Sequence, residues 1–341
     1  MGAVTSTRQE QPLLARYRRV LTFADVLDES IRLFRGRWTS FAVLSAVALL
    51  PPGLLTVWLS ASGALGASFS LAEIQSGRLA RPSSVAEQTA ALVAESVLSM
   101  LFFLLWSSAA VVATDTYLRG GEPHLRPVYG TALRRYWAVL LASIVLLVAL
   151  VGLTALATAL FVVTGFGVLG TLIALVFLVL WWLKPGVRKT WVKWLIVLTA
   201  PFGLPAYFLG RWSMYIPAAV LERHGPVGAV VRSSRLVDRH WFRVVSILSV
   251  AGLIVSVLQW APATLIEVPL TLTSATRGQI GLPPAQAALV NAVAVVLQIL
   301  FASIGSIAYT LAFIDLRNRR EGADIVERLS QLETKPVPTN G

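Results

Sequence analysis

The sequence predicts an all-α polytopic membrane protein, and three observations carry that prediction. Apolar residues make up 56% of the 341 residues and charged residues only 13%, against roughly 25% charged in an ordinary soluble domain. The apolar residues gather into runs of about 20, the length at which a helix crosses a bilayer, and the mean hydropathy is +0.72. The formal charge of +12 is spread between those runs, as in loops that face anionic lipid. No nucleic-acid motif accompanies the charge, so no nucleic-acid partner is expected. The absence of Cys excludes disulfides, thiolate metal sites and a Cys nucleophile. No cleavable signal peptide is expected, because the first 38 residues are polar and carry seven Arg ahead of any long apolar run.

Residues 1–20 read as a disordered basic tail, 21–333 as a single helical membrane domain, and 334–341, with Pro336 and Pro338, as a second disordered tail. Thr22 and Asp25 form a capping box for a first interfacial helix, in which Phe23, Val26, Leu27, Ile31 and Phe34 share a face and Trp38 ends the helix at headgroup depth. The first span runs from about Phe41 to Leu59, with Pro51 and Pro52 expected to kink or loosen it. A loop rich in Ala, Ser and Gly follows, and then a capping box of Ser84 and Glu87 whose helix continues into the second span, about Val97 to Leu118.

Gly120, Gly121 and Pro127 precede a second interfacial helix, with Val128, Tyr129, Ala132, Leu133, Tyr136 and Trp137 on one face and Arg134 and Arg135 on the other. The third and fourth spans, about Val139 to Val163 and Val168 to Leu183, lead to a basic loop with Lys184, Arg188, Lys189 and Lys193. The stretch Trp194 to Leu221 is flanked by basic residues at both ends and carries Pro201, Pro205 and Pro217. A single crossing would violate the positive-inside bias, so a broken, re-entrant segment interrupted near APFGLP is expected. Seven plain spans with the C-terminus outside is the alternative.

The third interfacial helix follows Gly225 and Pro226, the latter suited to a first helical turn. It places Val227, Val230, Val231, Ser234, Val237 and Trp241 on one face and Arg232, Arg235 and Arg239 on the other, the pattern of a helix lying in a membrane interface. Two more spans, about Val244 to Leu265 and Ala285 to Leu316, bring the total to about six plus the broken segment. All but four of the 29 Lys and Arg then fall on the cytoplasmic side, with both termini. The exceptions are Arg78, Arg81 and Arg277 outside and Arg211 within the membrane. Three units, about 22–119, 127–223 and 226–317, form a weak threefold repeat of interfacial helix and paired spans. Their span ends read TYLRGG, AVLERHG and FIDLRNRREG.

The stretches LTFADVLDESIRLFRGRW, RWSMYIPAAVLERHGPVGAVVRSSRLVDRHWFRV and IAYTLAFIDLRNRREGADI resemble the bacterial glycerophosphoryl diester phosphodiesterase membrane domains. The likeness covers most of the chain apart from the outer loops and the Phe166 to Thr199 region. It implies an all-helical membrane domain in the bacterial inner membrane, fused in some relatives to a soluble phosphodiesterase. Nothing here resembles that enzyme's His and paired acidic metal motifs, so the resemblance implies no catalysis.

The residues themselves offer little chemistry. His124, His224 and His240 have no carboxylate or second His at metal-ligand spacing, and no nucleophile elbow or Walker loop is present, so neither a cofactor nor a metal is expected. Asp25, Asp28 and Glu29 read as an acidic helix start. Arg211, about eleven residues and so roughly 16 Å from the cytoplasmic end of its segment, needs a partner at such depth. Asp115, Asp315 or Glu222 could serve, or an anionic headgroup. Asn291, Gln298 and Gly305 recur every seven residues and, with Ser256 and Gln259, suit either helix packing or a polar pathway. The expected function is a lipid- or protein-interacting membrane module without catalysis. Its anion-binding candidates are Arg211, Arg232, Arg235, Arg239, Arg134 and Arg135, and its intramembrane polar candidates Asn291, Gln298 and Gln259. A transporter for an amphiphilic or anionic solute is the alternative.

Overall fold

The structure, a computed structural model, describes residues 21–64, 69–70, 82–163 and 203–321. Both expected tails, the fourth span and the basic loop at Lys184 to Lys193 lie outside the described residues, as do Trp194 to Phe202 of the broken segment. Five helical runs are long and apolar enough to cross a membrane: Trp38–Ala61, Ala86–Leu118, Leu125–Ala159, Pro226–Thr276 and Pro284–Arg320. Large apolar side chains remain exposed along them, among them Val148 and Leu265. That surface needs lipid, since contiguous apolar faces of this extent are rare in water.

The chain divides into two compact units, one of residues up to Tyr136 together with Ser246 onward, the other Trp137–Val245. The first holds α1 (Phe23–Gly36), α2 (Trp38–Ala61), α3 (Pro82–Leu118), the first three turns of α4 (Leu125–Val163), most of α8 (Trp241–Thr276) and α9 (Pro284–Glu321). Phe69–Ser70 and Gln279–Ile280 pair antiparallel as β1 and β2, clasping the α2–α3 connection to the α8–α9 connection.

The seam between α2 and α9 is antiparallel and built on small residues. Ser45 Oγ meets Ser303 Oγ at 2.9 Å, Gly53 faces Val295, and Asn291 Nδ2 donates to Ser60 Oγ at 2.8 Å. Small and polar residues at this spacing let helix backbones approach in lipid, where apolar burial offers little net drive. Trp106 of α3 joins the seam by donating Nε1–H to Ser45 Oγ at 3.0 Å. Tyr129 of α4 donates its hydroxyl to the Leu44 carbonyl at 2.6 Å. Pro51 and Pro52 sit inside α2, which stays helical through both.

At the α1 end of this unit lies a buried carboxylate. Asp315, 1% exposed, accepts the Leu21 N–H at 2.9 Å and the Arg319 Nε–H at 2.9 Å. Arg319 in turn donates to the Leu21 carbonyl at 2.6 Å. This triangle ties the start of α1 to the end of α9. Thr22 caps α1 with the expected capping box.

Three expectations on local structure are corrected. Trp38 begins α2 rather than ending α1, because the chain turns at Gly36 and Arg37. α3 is helical from Pro82, the first residue described there, so Ser84 lies within the helix and is not its cap. The second interfacial helix is continuous with the third span in α4, with no break between them. Of the three expected span ends, TYLRGG closes α3 in a Schellman cap: Gly120, at φ +81, donates to the Tyr117 carbonyl and Gly121 to that of Thr116. In AVLERHG, Arg223 takes a left-handed φ of 59°. In FIDLRNRREG α9 stays helical through Glu321, and Gly322 lies outside the described residues.

The second unit contains the rest of α4, then α5 (Gly203–Trp212), α6 (Tyr215–Val220) and α7 (Pro226–Val237), and a short 3-10 turn, Asp238–His240, leading into α8. Over the described residues α5 has ten residues and α6 six, fewer than the roughly 20 that a crossing takes. Their break at Ser213 and Met214 is stitched by Ser233 of α7, whose hydroxyl accepts Met214 N–H at 2.9 Å and donates to the Arg211 carbonyl at 3.0 Å. Gly210 leaves room for the Trp241 indole, which a Cβ there would meet at 2.5 Å. That indole donates to the Tyr207 carbonyl at 2.9 Å.

Within the amphipathic helices the chain itself buries only part of each apolar face. In α7 the buried stripe is Ala229, Ser233, Leu236 and Val237, while Val227 and Val231 are exposed. In α1 it is Val26, Glu29, Ser30 and Leu33, with Ile31 exposed. In α4 Val128 and Ala132 are buried, and Leu133 and Trp137 are exposed. A hydrophobic stripe read from sequence sums a protein-facing edge and a lipid-facing one, and only the first is buried by the chain.

Replacing Asp315 with Asn keeps the shape but removes the charge that Arg319 and Leu21 N–H share. We expect a loss of about 2–4 kcal/mol, read as a lowered unfolding midpoint in detergent. Asp115→Asn, at a more exposed pair with Arg119, should cost well under half as much.

Candidate functional site: an intramembrane cavity

Four helices of the first unit, α2, α3, α8 and α9, line a half-open cavity of about 530 Å³, within the range of small-ligand pockets. It lies in the half of the unit toward the β1–β2 clasp, away from Asp315. Leu49, Met100, Phe103 and Trp260 supply apolar wall, and Thr56, Glu95, Ser99, Gln259, Asn291 and Gln298 supply polar groups.

Local sequence explains how each polar group arrives there. Glu95 and Ser99 are one turn apart on α3, and the Ser99 hydroxyl donates to Glu95 Oε1 at 2.9 Å. Thr56 of α2 lies 2.9 Å from the same oxygen and 3.1 Å from the Pro52 carbonyl, so its one proton serves two acceptors. Asn291 is bonded across the seam to Ser60, whose hydroxyl donates back to the Thr56 carbonyl at 2.8 Å. Among the described residues, the Gln259 and Gln298 amides and Glu95 Oε2 have no hydrogen-bond partner in the protein.

The three intramembrane polar candidates, Asn291, Gln298 and Gln259, thus line one cavity. Asn291 also packs helices, and the two glutamines bond to no described residue. Glu95 was missed. Reading the second span from Val97 placed it above the bilayer, whereas Thr56, inside the first span, draws it to membrane depth. The available signal was an acid followed one turn later by Ser, between the apolar pairs Leu92–Val93 and Val97–Leu98, well inside an unbroken helix.

The six basic candidates fall into two groups. Arg232 is held bidentately by Glu222 at 2.6 and 2.9 Å. Arg211 pairs with Asp238 at 3.1 Å and lies 5.8 Å from the Tyr207 ring centroid. Asp115 and Asp315 pair instead with Arg119 and Arg319, and Glu222 with Arg232. The unbroken helix behind the distance expected for Arg211 is not what forms. The helical count fails because the chain breaks at Ser213–Met214, and bonds through Ser233 and Asp238 hold Arg211 level with α7. Arg134, Arg135, Arg235 and Arg239 have no ion-pair partner among the described residues, and all but the half-buried Arg135 are exposed. Beside Asp115, whose hydrogen bonds and charge both favour the cation, the Arg119 guanidinium is raised further above its ordinary range. Among the described residues no group of three or more His, Asp and Glu is placed to hold a metal ion.

The chain matches no protein-family model, no curated protein and no solved structure.

The cavity depends on close approach of α2 and α9 at Gly53, where a Cβ would stand 2.5 Å from Val295 Cγ1. Gly53→Val should therefore lower stability by about 1–3 kcal/mol, measured as an unfolding midpoint. Val295→Ala should restore part of that loss in the double variant and little in the wild-type background.

Proposed function

We propose that this chain is a polytopic inner-membrane protein that binds a lipid-like amphiphile within its helical bundle and performs no chemistry on it. The observation that carries the proposal is the cavity, with its apolar walls, its few convergent polar groups and two glutamine amides without protein partners. A scaffold that only presents interfacial helices has no use for such a space. The exposed Arg134, Arg235 and Arg239 complete the proposal as contacts for anionic headgroups at the cytoplasmic face, each worth about 1 kcal/mol near a charged surface.

The finer topology belongs to the same proposal. It has six crossings, a re-entrant segment over Trp194–Leu221, three interfacial helices in a weak threefold repeat, and both termini in the cytoplasm. The support is the charge bias and the resemblance of three stretches to the glycerophosphoryl diester phosphodiesterase membrane domains. In this orientation the cavity occupies the outer half of the membrane. A transporter is the second reading, favoured by Pro52 in the cavity wall and Pro262 one turn beyond Gln259, since prolines give helices sites at which to bend.

Two measurements test these proposals. Because the chain has no Cys, single cysteines can be labelled from either side. Ser62→Cys and Thr276→Cys should react in intact cells, and His124→Cys and Arg320→Cys only after permeabilisation. Reaction of all four in intact cells would reject the orientation. For binding, native mass spectrometry of the chain released from nanodiscs of its own membrane should show one retained amphiphile. Ala294→Phe, which fills the cavity, should release it without lowering the unfolding midpoint by more than about 1 kcal/mol equivalent. Equal retention by both proteins would reject the cavity as the binding site. Flux of the retained molecule across proteoliposomes would establish the transporter reading.

A further inference from the structure

The cavity runs against the charge of the chain. The sequence carries +12 overall, yet among the described residues no Lys, Arg or His lines this space, and Glu95 is the one ionisable side chain among them in its lining. Thr56 and Ser99 both engage Oε1, which leaves Oε2 without a protein partner among the described residues. A carboxylate in apolar surroundings is costly unless a positive charge or hydrogen-bond donors meet it.

A bare metal ion is a poor match. A hard divalent cation asks for six or more oxygens, largely from carboxylates, carbonyls and water, and the lining offers one carboxylate, one of whose oxygens is already engaged. An anionic headgroup is a worse match, because it would meet Glu95 with no cation beside it. An organic ammonium meets each requirement. Its charge pairs with Oε2, any N–H donors reach the Gln259 and Gln298 carbonyl oxygens, and the Phe103 and Trp260 rings in the lining offer the aromatic faces that attract such cations.

Building on the amphiphile-binding reading, we propose that the cavity selects a lipophilic ammonium. Its protonated or quaternary nitrogen lies against Glu95, and its apolar body lies along Leu49, Met100, Phe103 and Trp260. Charge selection then divides between the two faces of the membrane. Exposed arginines at the cytoplasmic side favour anions, and Glu95 in the outer half favours a cation.

The test uses the full chain in nanodiscs of zwitterionic lipid and three probes with the same tail: octyltrimethylammonium, octanol and octyl sulfate. Binding is followed by Trp fluorescence, with partition into the lipid subtracted using nanodiscs of the cavity-filled Ala294→Phe variant. The ammonium should saturate at an affinity about tenfold or more tighter than octanol, with octyl sulfate weakest. Glu95→Gln should bring the ammonium down to the octanol level and leave octanol unchanged, and Glu95→Asp should keep the preference. If octanol and the ammonium bind alike to the wild type, or if Glu95→Gln leaves the preference intact, the charge selection is overturned while amphiphile binding stands. If none of the probes saturates, both fail. Should Glu95→Gln not fold, the ranking of the three probes on the wild-type chain decides the matter by itself.

Discussion

Everything in the first unit follows from how closely α2 can lie against α9. In lipid, two apolar helices gain little by touching each other rather than acyl chains, so association has to come from contact at short range and from polar groups that find one another. The seam supplies both. Ser45 with Ser303, Gly53 with Val295 and Ser60 with Asn291 mark successive levels along one antiparallel contact. Each pairs a small residue with one that reaches it. Trp106 fastens α3 to the lowest level, and Thr56 fastens it near the uppermost through Glu95. Where the helices spread between these fixings, the cavity opens.

Charge is distributed along the same axis in a way that separates structure from function. At the α1 end acids are consumed by partners. Asp315 binds Arg319 and the Leu21 backbone, and Asp115 binds Arg119. A buried carboxylate with its lone pairs satisfied fixes geometry without inviting a ligand. Toward the β1–β2 clasp the opposite holds, since Glu95 is met by hydroxyls alone and faces amides that bond to nothing in the described protein. A polar group that has been brought into lipid and left incompletely satisfied is the usual mark of a place where something else binds.

Much of the helical plan was legible in the sequence, because hydrophobic length and the spacing of Gly and Pro are local properties. The Thr22 capping box, the Gly120 cap of α3 and the Pro226 start of α7 could all be read from adjacent residues. Which side of an amphipathic helix meets protein could not. Val227, Val231 and Val237 of α7 share one apolar face in the sequence, yet only Val237 is buried by the chain, because a lipid-facing edge and a protein-facing edge are equally apolar. The partner of Arg211 was hidden for a related reason. It depends on a chain break at Ser213–Met214, about eight residues beyond the interruption expected at APFGLP, and on a fold that returns α7 to it. Of the candidate site, Asn291 and Gln298 of α9 were legible from their heptad spacing, and Gln259 of α8 from its place inside an apolar span. Glu95 was not, because its depth is set by Thr56 on another helix.

The central claim is that the space beside Glu95 exists to hold a molecule. A density map of the full chain in nanodiscs made from its own membrane tests that most directly. The account predicts continuous elongated density between α2, α3, α8 and α9, with its head within hydrogen-bonding distance of Glu95 Oε2 and its tail along Phe103 and Trp260. Closure of α3 onto α8, with Gln259 or Gln298 bonded to Glu95 and no room left between the helices, would contradict it.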